Sequence, residues 1–436
     1  MASNGNVNQP GYENRMQFVH QILQNHGLEP TSVEALAYFE NCPFHFNNFI
    51  YKATLTSPAT RESSKLSGEQ PGTYPLPEDG TSVLVVRLSN PRAEGLNNAN
   101  RVENEVAAQY LVRRSLEKDN RPPVVPAVYA WGSCRFHEQP DESGFGWSIL
   151  EFKQGSDLDG VFPTLSREAQ TSVMEQIADA FLSIQRARVP DSVTGFGSLT
   201  FSESGQIVTG EMPLVVGGPW DTYTSLWTAK LKAQVLDSDK SSVLRGWKDS
   251  DIRERLDSFL ANDGVSRILG SQDISERVLV HGDLTMNNML YDKEQGKLTA
   301  ILDFDWACVT NPCDEFLSGF WDLGGGINEE NASFQECIMT GDFSSSDGLQ
   351  EMPAQEAEKR ENGRVLNDAF ARRGIIRPAT IKAAGEIRKL RELENMVCPF
   401  DLSNEIVMRR STEEARLARK TQKGKDISSW LSSAGF

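Results

Sequence analysis

The sequence predicts an α+β protein of two lobes, a small β-rich N-lobe followed by a large, mainly helical C-lobe. Three observations predict it. The chain has 436 residues, more than one ordinary hydrophobic core accommodates. Its first 150 residues read as strand, strand, helix, strand, strand. Beyond them helical periodicity dominates, interrupted by short apolar strands around a polar window at residues 280–306.

Residues 16–28 form an amphipathic pattern ended by Gly27, a helix with a glycine stop. With it, residues 1–40 read as a helical extension. The N-lobe is expected over residues 41–152. Residues 46–55 read as a turn entering a strand, and Thr81–Leu88, β-branched and largely apolar, as the clearest strand of this part. Between them residues 57–80, rich in Ser, Pro, Gly and Glu, read as an exposed, flexible loop. Val102, Val106, Ala107, Tyr110 and Leu111 recur at helical spacing within residues 100–116. Pro122, Pro123 and Pro126 mark a turn, and Val124–Trp131 and Trp147–Phe152 read as the last two strands.

The C-lobe is expected over residues 153–436. Ser166–Val189 is a strong helix with Val173, Ile177, Phe181 and Ile184 on one face and Ser166 as its N-cap. Trp220–Val235, Ile252–Ala261, Arg360–Ala371, Ala379–Glu394 and Ser411–Lys420 read as further helices, Val278–Val280 and Ala300–Leu302 as short strands, and residues 341–354 as a polar loop. There is no internal repeat.

Charge narrows the function classes. The net charge is −17, concentrated in residues 151–408, which carry 25 basic and 42 acidic side chains. Nucleic acid is not an expected partner, since phosphate neutralisation needs a basic surface. The acidic region confers solubility and would also attract a cationic substrate. The basic tail from Arg409 to Lys425 reads as a solvated helix face, with acidic lipid or a partner as the alternative. No apolar run approaches membrane-spanning length. The N-terminus has no basic stretch leading into an apolar one, and six scattered cysteines show no C-x-x-C spacing. Together these give a cytoplasmic expectation.

The chemistry is concentrated in residues 280–306. His281, Asp283 and Asn288 form H-x-D-x-x-x-x-N, the catalytic loop 281–288; Asp303 opens Asp-Phe-Asp-Trp at 303–306, 15 residues after Asn288. Phosphoryl transfer requires a carboxylate that orients the attacking hydroxyl, and an amide and a second carboxylate that hold Mg²⁺ on the nucleotide phosphates. Asp283 is the candidate for the first role, Asn288 and Asp303 for the second. His281 is read as bracing the loop. Asp305 is open between metal ligand, substrate contact and bracing carboxylate, and Asp314 is read as a helix N-cap. Such chemistry also needs a cation on the phosphates, held by a glutamate. Arg87 and, 18 residues on, Glu105 are the candidate pair, with Lys52 the alternative cation. Glu151 and Phe152, ahead of Gly155, fall where a hinge would offer backbone groups to an adenine edge. A phosphate-covering loop would lie at Asn41–Asn48, which has no glycine.

On these residues the chain resembles the aminoglycoside phosphotransferase / choline kinase-like superfamily, over most of residues 40–325. The resemblance is carried most specifically by His281–Asn288, Ile301–Trp306 and Pro312–Asp314. It implies a bilobal protein-kinase-like fold, ATP and Mg²⁺ as cofactors, and a small hydroxylated acceptor. Gly282 stands where protein kinases carry an arginine, and no A-P-E element follows Asp303; both departures point away from a protein substrate. The rival readings are a kinase-fold pseudoenzyme acting as a scaffold, suggested by Arg87 in place of lysine, a divergent protein kinase, and a metal-dependent hydrolase.

Overall fold

The computed structural model describes residues 6–37, 42–135, 141–344 and 352–436. The N-lobe is built on one antiparallel sheet of β1 (Pro30–Leu36), β2 (Asn48–Ala59), β3 (Thr81–Ser89), β4 (Val128–Gly132) and β5 (Gly146–Glu151), in the order β1-β2-β3-β5-β4. Strand alternation decides what each face does. Phe49, Tyr51 and Ala53 of β2 and Leu84, Val86 and Leu88 of β3 turn one way, onto Val19, Ile22 and Leu23 of helix α1 (Tyr12–Asn25). The intervening residues turn the other way, towards helix α2 (Arg101–Lys118), where Val85 packs with Val102, Val106, Val128 and Leu150. Arg87 is in register with Ile50 on β2 and Ser148 on β5, so it too faces α2.

Two N-lobe expectations need correction. Residues 1–40 are not only a helical extension, because β1 lies within them and pairs with β2. β1 is an edge strand whose residues are at best half-buried, so no apolar alternation announces it. Residues 60–80 contain no helix or strand, but they are not an exposed loop. Leu66 and Leu76 are buried in the α1-side core, Gln70 makes two hydrogen bonds with the backbone of Trp131 (2.8 and 3.1 Å), and Tyr74 N–H donates to Val128 O (2.8 Å). The segment covers the open edge at β4, which would otherwise leave ladder groups unpaired. The expected strand from Val124 shortens to β4.

The chain crosses to the C-lobe through residues 152–155, between β5 and β6 (Ser156–Asp157). After α3 (Leu158–Val161), α4 (Arg167–Gln185) starts where expected, with Ser166 Oγ accepting Ala169 N–H at 3.3 Å. The hairpin of β7 (Ser198–Phe201) and β8 (Ile207–Gly210) follows, then helices Tyr223–Lys240, Ile252–Ala261 and Gly264–Leu269. β9 (Val278–Val280) pairs with β12 (Cys308–Thr310), while β10 (Met289–Asp292) pairs with β6 and β11 (Lys297–Ile301). These short ladders hold residues 281–306 between them. Helices Ala332–Thr340, Ala354–Arg373, Ala384–Val397 and Glu413–Ser433 complete the lobe. The last runs well past the expected Lys420, and of the expected polar loop 341–354, residues 345–351 lie outside the described residues. The six cysteines are free thiols. Among the described residues no helix is long and apolar enough to cross a membrane.

Candidate active site

β9 delivers His281 into the interior, with no exposed surface. Its Nε2–H donates to Leu302 O at 2.9 Å, and its Nδ1 accepts Asp283 N–H at 3.2 Å. These two bonds fix the tautomer, and burial lowers the imidazole pKa to about 4, so the ring is neutral and braces the loop. Glu315, on helix Cys313–Ser318, accepts the N–H groups of His281 (2.7 Å) and Gly282 (3.2 Å). Ser318 Oγ donates to Gly282 O (2.7 Å), and Asp322 accepts Met286 N–H (2.6 Å). Gly282 has φ 83°, and a Cβ there would meet Trp306 O at 2.7 Å, so glycine is required.

The loop presents Asp283. Asn288 Nδ2 donates both to Asp283 O and to its carboxylate, each at 2.9 Å. Burial raises the Asp283 pKa to about 6; the Asn288 hydrogen bond opposes this, and the nearby Asp303 and Asp322 carboxylates add to it. Asp303 follows β11 in a left-handed conformation (φ 62°, ψ 66°).

Three of the predicted residues meet in one cluster. Arg87 pairs with Glu105, and its Nη2 donates to Asp303 Oδ1 at 2.9 Å. The same nitrogen lies 2.9 Å from Asp305 Oδ1. Asp305 is 2% exposed and also accepts from Arg101 (2.7 and 3.1 Å) and Asn48 Nδ2 (2.7 Å). Of the readings left open for Asp305, the structure selects the bracing carboxylate: it joins β2, β3 and α2 to the Asp-Phe-Asp turn. Burial alone would raise its pKa, but Arg101 and Arg87 outweigh that and hold it well below the usual range. The cluster sets three carboxylates against two guanidiniums, and Glu105 is pushed up by burial and by the two aspartates despite its pairing.

Glu151 ends β5 at the lobe crossing. Its carboxylate is bound to Arg113 (2.8 Å), Ala127 N–H (3.0 Å) and Lys153 (2.7 Å), and its own N–H donates to Ala127 O (2.8 Å). Lys52 Nζ lies 5.2 Å from the centre of the Phe152 ring. A cavity of about 360 Å³ is lined among others by Leu36, Phe46, Asn48, Ile50 and Asp303. Asp314 is not an N-cap: it lies inside its helix, accepting from Tyr223 OH and from Thr310 Oγ1 (2.6 Å). Arg101, Asn48, Glu315 and Asp322 were not anticipated from sequence. Each of them binds a partner 34 or more residues away, which no local pattern announces.

The chain matches the family model described as the phosphotransferase enzyme family (APH) over residues 67–333, more than half its length. Similar solved structures include a candidate aminoglycoside phosphotransferase of Ralstonia eutropha (14% identity, 96% of this chain and 98% of that chain, TM-score 0.47). Others are a gentamicin complex of APH(2")-IIa (12%, 94% and 95%, 0.47) and the ethanolamine kinase of Plasmodium vivax (12%, 91% and 82%, 0.40). No curated protein matches. At these TM-scores the assignment rests on the family model, and the residues it spans include the loop 281–288, Asp303 and the Arg87–Glu105 pair: the chain belongs to the phosphotransferase enzyme family.

Proposed function

We propose that the protein is an ATP- and Mg²⁺-dependent phosphotransferase acting on a hydroxyl of a small metabolite in the cytoplasm. The observation that carries this reading is the pairing of Asp283 with Asn288 beside Asp303, on a loop whose backbone is held by Glu315 and Asp322. With a pKa of about 6, Asp283 is ionised at neutral pH and can accept the hydrogen bond of an incoming hydroxyl, aligning its oxygen for attack.

The donor set fits Mg²⁺. Asn288 offers an amide oxygen and Asp303 a carboxylate. Mg²⁺ takes one or two such protein ligands and completes its shell with phosphate and water. When bound, the cation supplies charge neutralisation on the phosphates. Arg87, oriented by Glu105, is the protein's own cation for them, and the backbone at Glu151 and Phe152 would meet the adenine edge. The acidity of residues 151–408 favours a cationic acceptor.

One observation favours a second reading, a nucleotide-free scaffold: Arg87 is already engaged by Glu105, Asp303 and Asp305. Thermal unfolding separates the two. Enzyme function predicts an upward shift that needs ATP and Mg²⁺ together and disappears in Asp303→Ala, because a ligand binding only the folded state stabilises by mass action. No shift at millimolar nucleotide would sink the enzyme reading and leave the scaffold.

A further inference from the structure

The Arg87–Glu105 pair works only if α2 stays in place, and α2 is held by an element outside the small lobe. The β7–β8 hairpin, inserted between α4 and helix Tyr223–Lys240, packs along the first turns of α2. It is anchored from below, Gly197 and Val309 exchanging backbone hydrogen bonds at 2.8 and 3.2 Å. From above, the Phe201 ring stacks on Trp131 of β4 at 5.3 Å.

Two asparagines tie the helix to it. Asn104, 1% exposed and adjacent to Glu105, donates from Nδ2 to Ala307 O (2.8 Å) and accepts Leu199 N–H on Oδ1 (2.9 Å). One side chain thus joins α2 to the segment leaving the Asp-Phe-Asp turn and to the hairpin. Asn100 is the N-cap residue of α2 but makes no side-chain cap bond. Its amide donates to Ser198 Oγ (2.6 Å) and Leu199 O (3.1 Å) and accepts Glu211 N–H (3.1 Å). An N-cap asparagine ordinarily stabilises its own helix, and asparagine is a weak former in a helix interior. Both residues serve the bridge at the expense of the helix.

We infer that Asn104, with Asn100 in support, is a positioning residue: the hairpin clamp fixes α2 so that Glu105 holds Arg87 in place before nucleotide arrives. The inference rests on the nucleotide reading above. Hydrogen exchange on the wild-type protein tests it first. Amides in the second turn of α2, from Asn104 on, should exchange slowly without ligand, and MgATP should slow them no more than it slows the rest of the fold. Protection that appears only on adding MgATP overturns the inference. Calorimetric titration with MgATP is the second arm. Asn104→Ala should bind about ten- to a hundredfold more weakly, the cost of a misplaced binding group, with faster exchange in α2. Asn100→Ala should show a smaller effect in the same direction and serves if Asn104→Ala does not fold. Wild-type affinity in these variants, while Asp303→Ala loses MgATP, overturns the clamp alone. No binding of MgATP by the wild-type protein overturns the nucleotide reading, and the clamp's role with it.

Discussion

The loop 281–288 and the seam between the lobes are both built around buried aspartates, and the two treat their charge in opposite ways. At the seam, Asp305 meets two arginines and an asparagine, and its carboxyl is held strongly acidic. In the loop, Asp283 has one amide partner, the strongest charges acting on it are the carboxylates of Asp303 and Asp322, and its pKa rises to about 6. A carboxylate whose task is to hold structure is neutralised by cations. In the proposed reaction Asp283 orients a hydroxyl, a task that a carboxylate kept basic would serve, at a cost in stability.

The largest effect that tests this contrast is expected from Asp283→Asn. Phosphoryl transfer should fall by about 10²- to 10⁴-fold, measured as turnover on an acceptor found by screening, with unfolding temperature unchanged or higher. A loss of stability instead would make Asp283 a structural group like Asp305. The seam should respond the other way. Asp305→Ala leaves Arg87 and Arg101 buried with a partner missing and should cost about 3–5 kcal/mol in urea unfolding. A cost within experimental error would show that the seam is dispensable.

A smaller effect sharpens the comparison through pH. Glu315 receives two backbone N–H groups but is so buried that its pKa rises to about 7. The folded state then holds this proton more tightly than the unfolded state. Its contribution to stability should therefore fall as pH rises from the ordinary glutamate range through about 7, and level off above that. The difference in unfolding free energy between wild type and Glu315→Gln should shrink as pH rises over that range. A pH-independent difference would place the Glu315 carboxylate at its ordinary acidity.

Where chemistry and chain order coincide, the sequence was readable. His281, Asp283, Asn288 and Asp303 lie within 23 residues, and the strands that flank them are short apolar runs, so both the loop and its supports show locally. Arg87 and Glu105 were readable because a strand and a helix of clear periodicity carry them. The edge strand β1 was not, since neither face is deeply buried. The role of Asp305 was not, because Arg101 and Asn48 lie more than 200 residues away and nothing in Asp-Phe-Asp distinguishes a buried carboxylate from an exposed one. The packing of residues 60–80 was masked by their polar composition, since it is Leu66 and Leu76 that are buried in the core, with half-buried Tyr74 packed against it.

Gly282 has an evolutionary consequence. Its left-handed backbone and the Trp306 carbonyl 2.7 Å from any Cβ bar every side chain, including the arginine through which a phosphorylated loop could report to Asp283. No single codon change at this position yields a gated descendant, because the obstacle is main chain and cannot rotate aside. Under the proposed function, a lineage with this loop would have no side chain at residue 282 through which to gate the transfer.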